Sequence, residues 1–123
     1  MGDEEKRSRV LRGAIVGFGN AALHAHLPVL QHSNQFRIDA VVEPDAQRAA
    51  RAKELLPQAS IYDDIMPLIA RGGIDFVDIC TPSYLHADLI EKSFSAGFHV
   101  LCEKPLVTSL ESLVRIESVK PGQ

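Results

Sequence analysis

The chain has 123 residues, of which 46% are apolar and 24% charged, and its formal net charge is -3 at pH 7. This length suits one domain, and the slightly acidic balance argues against a nucleic-acid partner, which would require a basic surface. No apolar run approaches the roughly 20 residues of a membrane span. With two cysteines in total there is no disulfide framework, so a reducing cytoplasm is the expected location.

Short apolar segments alternate with longer helical segments along the chain. Residues 1–9 are expected to form a disordered, solvated tail, and residues 10–120 one domain. The predicted strands are 10–17, 36–43, 60–62, 75–80 and 98–102. The predicted helices cover 20–31, 45–56, 63–71, 83–96 and a last segment starting at Thr108. Pro28 is expected to kink or break the first helix near His26.

Strands separated by single helices must run parallel, because the crossover helix returns the chain to the same edge of the sheet. The predicted strands are continuous apolar runs, which is typical of a sheet covered by helices on both faces. The sequence therefore predicts an α/β fold with a doubly wound parallel sheet. In such a sheet, the carboxyl ends of the strands form the functional edge.

The first predicted strand runs into the glycine-rich turn "AIVGFGNAA", with the spacing Gly17-x-Gly19-x-x-Ala22. Gly17 permits a tight turn, Gly19 lets a pyrophosphate approach the backbone, and Ala22 allows close packing of helix on strand. Because this pattern follows a strand and opens a helix, it indicates a Rossmann-like dinucleotide site rather than a simple packing turn. The candidate cofactor contacts in the turn are Gly17, Phe18, Gly19, Asn20 and Ala21.

Glu43 ends the second predicted strand, 21 residues after Ala22. A carboxylate at this point accepts hydrogen bonds from the adenosine ribose hydroxyls and repels a 2′-phosphate, which favours NAD over NADP. Dual use of the two cofactors is the alternative, with Arg48 or Arg51 turning toward a 2′-phosphate.

The stretch "DICTPSYLHADLIEKSFSAGFHVLCEKPL", together with the glycine turn and "HLP" at 26–28, resembles the N-terminal domain of the Gfo/Idh/MocA oxidoreductases. The resemblance extends from about Val10 to about Leu113. It implies an NAD-dependent oxidoreductase that transfers a hydride between nicotinamide and a hydroxyl or carbonyl of a sugar or polyol.

The resemblance places Glu103, Lys104 and Pro105 at the nicotinamide end of the cofactor. Lys104 is then the candidate catalytic residue, which polarises the reacting oxygen of the substrate or helps move its proton. Glu103 would fix the cofactor and the lysine, and Pro105 would make the turn rigid. Without the resemblance, Glu103 and Lys104 would be interpreted as an ordinary solvated ion pair.

Other residues also receive a role only through the resemblance. Thr81 and Pro82 are expected to line the cofactor groove, and His86 to face the cofactor or, alternatively, to bond the backbone of its own helix. No metal site is expected, because no ligand spacing accompanies the histidines. Residues given no chemical role are His24, His26, Asp78, Cys80 and Cys102.

The family's second α+β domain, which carries the substrate pocket, is expected to be absent from this chain. We therefore expect cofactor binding, little turnover from the chain alone, and a small-molecule substrate only with that domain. A homo-oligomer is expected through the surface that the missing domain would cover. The alternatives are a non-catalytic dinucleotide-binding or sensing module, and a partner-binding domain that has lost the cofactor.

Overall fold

The structure, a computed structural model, describes residues 10–102. The predicted tail at 1–9, the triplet Glu103–Pro105 and the predicted last helix lie outside the described residues. The strands are β1 (Leu11–Val16), β2 (Phe36–Val42), β3 (Ser60–Tyr62), β4 (Phe76–Ile79) and β5 (His99–Cys102). The helices are α1 (a π-helical segment, Ala22–His26, followed by an α-helical segment, Leu27–His32), α2 (Ala46–Leu55), α3 (Ile65–Arg71) and α4 (His86–Ser95). A short 3-10 turn, Ser83–Leu85, precedes α4.

The five strands form one parallel sheet in the order β3-β2-β1-β4-β5. β1 lies at the centre. The chain first places β2 and β3 on one side of it, and then crosses back to place β4 and β5 on the other side. The carboxyl ends of β1, β2 and β4 therefore meet where the strand order reverses. Ligands bind at such a reversal in open α/β sheets. The prediction of a doubly wound parallel sheet is confirmed.

Helices pack on both faces of the sheet. On one face, α1 and α2 cover a core that contains Ile15, Val41 and Phe76. On the other face, α3 and α4 cover a second core, which contains Val16, Leu68 and Ile90. Residues that alternate along β1 enter opposite cores, because successive side chains of a strand point to opposite faces. This arrangement explains why the strands read as continuous apolar runs.

Aspartate side chains cap the N-termini of two helices, α2 and α3, at the functional edge of the sheet. The Asp45 carboxylate accepts a 2.9 Å hydrogen bond from the Arg48 backbone N–H at the start of α2. The Asp64 carboxylate accepts one of the same length from the Met66 N–H at the start of α3. An aspartate just before a helix is a favourable cap, because its carboxylate accepts from N–H groups that have no partner inside the helix.

The first helix differs from its prediction. Pro28 neither breaks nor ends it, and the backbone stays helical through His26 and Leu27. The Leu27 N–H donates to the Ala22 carbonyl, five residues back, which is the π-helical pattern. Pro28 lies at the start of the α-helical segment that follows, where its missing N–H is tolerated. The extra residue in the preceding turn thus lets the helix continue past Pro28 without a break.

The outer strand β5 is covered on one face only. Val100 and Cys102 are half-buried, whereas His99 and Leu101 are exposed.

Among the described helices, none is long and apolar enough to cross a membrane.

Candidate functional site

A cavity of about 600 Å³ opens at the carboxyl edge of the sheet, between the ends of β1, β2 and β4. The glycine turn forms one wall, and the segments after β2 and β4 form the others. Residues that line the cavity include Gly17, Gly19, Glu43, Arg48, Thr81 and Pro82. Residues from three segments that are widely separated along the chain are therefore brought to one opening.

Gly17 makes the turn out of β1. Its φ is +92°, a conformation that other residues rarely adopt, and a Cβ there would lie 2.8 Å from Thr81 Cγ2. Its N–H donates to the Val42 carbonyl at 2.8 Å, which extends the pairing of β1 with β2 by one residue. Gly17 therefore serves the fold, since it lets the chain turn sharply against the segment after β4.

Gly19 stands in a different environment. A Cβ added there would meet nothing within 4 Å, and its φ is not positive. The fold therefore does not require glycine at this position. Asn20 and Ala21 are exposed and begin α1, and the Leu23 N–H donates to the Gly19 carbonyl at 3.0 Å. The space above Gly19, beside the first N–H groups of a helix, fits a phosphate group.

Glu43 has a structural role that the sequence did not predict. The residue is 4% exposed. One carboxylate oxygen, Oε1, accepts a 2.8 Å hydrogen bond from the Phe18 N–H of the glycine turn, and the other accepts one of equal length from the Asp45 N–H. Glu43 thus ties the turn after β1 to the loop after β2. A carboxylate offers about four acceptor positions, so capacity remains for a ribose hydroxyl.

Arg48 adds a positive charge to the same wall. Its Nε lies 3.3 Å from Glu43 Oε1, and its side chain is 56% exposed, so the guanidinium can reach the cavity. The charge of Glu43 is therefore partly balanced within the site. Arg51, the other arginine named for this role, pairs instead with Glu54 along α2.

The segment after β4 supplies a further polar group. Thr81 Oγ1 is buried and has no hydrogen-bond partner among the described residues, although Thr81 lines the cavity. An orphaned hydroxyl at a cavity wall fits a bound ligand, since a buried polar group without a partner is costly. Pro82, which follows it, also lines the cavity.

His86 is 1% exposed, and its Nε2 lies 3.0 Å from the Thr81 carbonyl oxygen. The ring thus supports the turn after β4 from the protein interior, and its predicted contact with the cofactor stays a prediction. Glu103 and Lys104 lie outside the described residues, so their roles also stay predictions.

Residues on α1 and β4 form a second polar contact that sequence reasoning did not find. His26 Nδ1 lies 2.7 Å from Asp78 Oδ2, although the two residues are 52 positions apart. Nothing in their local sequence pattern indicates this contact, because it depends on how α1 lies across the sheet.

These features together define a Rossmann-type domain: the strand order reverses at β1, a glycine turn opens onto the cavity, and an acidic residue directly follows β2. The chain belongs to the Gfo/Idh/MocA family, because residues 11–119 match the family described as "Oxidoreductase family, NAD-binding Rossmann fold". The predicted family is thereby confirmed.

Individual relatives agree with this assignment. The chain is 36% identical over 109 residues to an inositol 2-dehydrogenase of Corynebacterium glutamicum (strain R), which covers 89% of this chain and 32% of the relative. It thus spans about a third of the curated relatives it matches.

Two solved structures share the fold. One is a 3-ketoreductase from Actinomadura kijaniata in complex with NADP and TDP-benzene, with a TM-score of 0.81 and 29% identity over 90% of this chain and 34% of that one. The other is an oxidoreductase from Agrobacterium radiobacter in complex with NAD+, L-tartaric acid and magnesium, with a TM-score of 0.80 and 27% identity over 89% of this chain and 33% of that one.

Proposed function

We propose that this chain holds NAD in the cavity at the carboxyl edge of the sheet and forms the cofactor domain of a sugar or polyol oxidoreductase. Bound NAD would supply a hydride acceptor for a substrate hydroxyl, and its reduced form a hydride donor for a carbonyl. The inositol dehydrogenase relative supports the class of substrate. Because hydride transfer needs a substrate held close and aligned, we expect little turnover from this chain, which spans a third of its relatives' length.

The open space above Gly19 is the observation that carries this proposal. A Cβ there would touch no protein atom, so the glycine is explained by a ligand and not by packing. The pyrophosphate would lie over Gly19, against the N–H groups of Asn20 and Ala21 at the start of α1. Glu43 would accept a hydrogen bond from the adenosine ribose, and the Thr81 hydroxyl would gain a partner.

Titration of NADH into the purified 123-residue chain, followed by nicotinamide fluorescence, tests this proposal. We expect saturable binding that Gly19→Val weakens by about tenfold or more, because the added side chain would occupy the phosphate position. Arg71→Ala, which changes an exposed residue at the end of α3, serves as the control and should bind as the unaltered chain does. A Gly19→Val chain that folds and binds NADH with unchanged affinity would contradict the proposal.

For the choice of cofactor we propose that NAD is preferred, because the Glu43 carboxylate would repel a 2′-phosphate. Arg48 opposes this preference, since its guanidinium can approach a phosphate from the same wall. The relatives support neither cofactor alone, as the two structures above contain NADP and NAD+. Arg48→Ala should weaken NADPH binding more than NADH binding, and an equal effect on both would remove this role of Arg48.

Lys104 is the proposed catalytic residue, and Glu103 the residue that orients it. A non-catalytic dinucleotide-binding module is the second candidate function. The described part of the site favours it, because its residues are positioned to contact a cofactor and none of them is assigned a contact with a substrate. Assays of NADH formation with a panel of polyols separate the two functions. Turnover, even slow, that Lys104→Ala abolishes with NADH affinity retained would support the enzyme. Saturable NADH binding, with NADH formation no faster than in Lys104→Ala, would support the module.

A further inference from the structure

Three potential metal ligands meet beneath α1, on the sheet face that α1 and α2 cover. They are the imidazole of His26, the carboxylate of Asp78 near the end of β4, and the thiol of Cys80 just after it. One ligand atom from each residue lies within 4.8 Å of the others. Asp78 and Cys80 are two residues apart, so an extended chain presents them on the same side.

The carboxylate of Asp78 is not fully satisfied by the protein. Asp78 is 1% exposed, and its Oδ2 contacts His26 Nδ1 at 2.7 Å. Its second oxygen, Oδ1, is buried and has no hydrogen-bond partner within the described part of the chain. A buried carboxylate with an orphaned oxygen is costly, and a cation beside it would remove that cost.

We propose that His26, Asp78 and Cys80 bind a divalent transition-metal cation of the Zn²⁺ type. Imidazole nitrogen, carboxylate oxygen and thiolate sulfur are the ligand types that Zn²⁺ takes in proteins. The thiolate makes Mg²⁺ or Ca²⁺ a poor match. On binding, the Cys80 thiol would release its proton to solvent, and the thiolate and carboxylate together would balance the charge of the ion.

The separations between the ligand atoms suit such an ion. Bonds of about 2.0–2.3 Å in a tetrahedral arrangement place neighbouring ligand atoms roughly 3–4 Å apart, within the observed limit of 4.8 Å. The His26–Asp78 contact, now 2.7 Å, would have to open by about half an ångström or more. Three protein ligands leave the fourth position to water.

A path from solvent reaches this cluster. A groove between α1 and β5 has Val29 and Leu101 on its walls and contains both His26 and Asp78. The His26 side chain is 17% exposed, so an ion can arrive from this side. The ion would join α1 to β4 directly below the glycine turn. The proposal departs from the sequence-based expectation of no metal, because the ligands come from segments that only the fold brings together.

Titration with Co²⁺, a spectroscopic substitute for Zn²⁺, tests the site. We expect a thiolate-to-cobalt charge-transfer band in the near ultraviolet, intense tetrahedral d–d bands, and loss of both when Zn²⁺ is added. Cys80→Ser should abolish the charge-transfer band. Cys102→Ser is the matched control and should retain it. Cys102, the chain's other cysteine, also lines the groove, but it packs against the opposite core and does not belong to the cluster of ligand atoms.

A second variant distinguishes loss of metal binding from loss of the folded structure. His26→Gln retains a hydrogen-bond donor for Asp78 but binds Zn²⁺ poorly, so we expect Zn²⁺ affinity to fall by more than about tenfold with stability preserved. His24→Ala, on an exposed neighbour, should leave the affinity unchanged. A Co²⁺ spectrum without a charge-transfer band, or one that Cys80→Ser leaves unchanged, would overturn the proposal. Cys80 also lines the cavity at the carboxyl edge of the sheet, so the metal titration is run without dinucleotide and the NADH titration without metal, and either proposal can then fail without the other.

Discussion

Gly17 and Gly19 belong to one motif, yet the structure requires glycine only at the first. Gly17→Ala would force an alanine to a φ of +92° and bring its Cβ to 2.8 Å from Thr81 Cγ2. We expect this change to lower the free energy of unfolding by about 2–4 kcal/mol, from backbone strain and overpacking together. Chemical denaturation monitored by circular dichroism measures the loss.

Gly97→Ala separates the two contributions to that loss. Gly97 has a φ of +84°, but a Cβ there would meet nothing within 4 Å. We expect it to lose about 1–2 kcal/mol from strain alone, whereas Gly19→Ala should lose less than either. If Gly17→Ala cost no more than Gly97→Ala, close contact with Thr81 would not be the reason for glycine in the turn.

Glu43 is predicted to stabilise the domain even without a ligand. Its two carboxylate oxygens accept hydrogen bonds from the N–H groups of Phe18 and Asp45. In Glu43→Gln one acceptor becomes an NH2 group, which would face an N–H donor. We expect a loss of about 1–3 kcal/mol in the free energy of unfolding, because one buried donor is left without a partner.

Arg48→Ala is the control for this change, because it removes the ion pair with the buried Glu43 carboxylate and keeps the two backbone contacts. It should cost no more than about 1 kcal/mol, because the Arg48 side chain is itself 56% exposed to solvent. Glu43→Gln with unchanged stability and weaker NADH binding would show that the side chain serves the ribose alone.

At the scale of elements, the cap of α2 connects helix stability to the cavity wall. The Asp45 side chain accepts from the Arg48 N–H, and Arg48 carries the guanidinium beside Glu43. Asp45→Ala should lower the free energy of unfolding by about 0.5–2 kcal/mol, because a helix N–H loses its acceptor. Asp45→Asn, which keeps an acceptor oxygen, should stay close to the original value in the same denaturation assay. Equal losses in both variants would contradict the capping role.

The elements themselves were largely predictable from the sequence. All five strands and the four described helices occur where apolar runs and helical spacing placed them, because those patterns are local. The first helix shows the limit of such reasoning. A proline inside a helical pattern predicts a kink or break, but whether one extra residue in the preceding turn absorbs it depends on packing of α1 against the sheet.

For the molecule as a whole, the parts of the candidate site that belong to a sequence motif were predictable. The parts that depend on contacts between residues far apart in the chain were not. The glycine turn and Glu43 reach the predicted edge because parallel topology brings strand ends together. The hydrogen bond from Phe18 to Glu43 and the contact of His26 with Asp78 join residues 25 and 52 positions apart. No local pattern specifies such pairs, since they follow from how helices lie on the sheet.

We propose that a dinucleotide binds over the glycine turn, at the point where the strand order reverses. Backbone amide chemical shifts of the ¹⁵N-labelled chain, recorded with and without NADH, test it most directly. We predict that the largest shifts occur at Gly17, Gly19 and Thr81, while His99 and Val100 at the start of the outer strand change little. Saturating shifts confined to β5 and its groove, or no shifts at all, would contradict the claim.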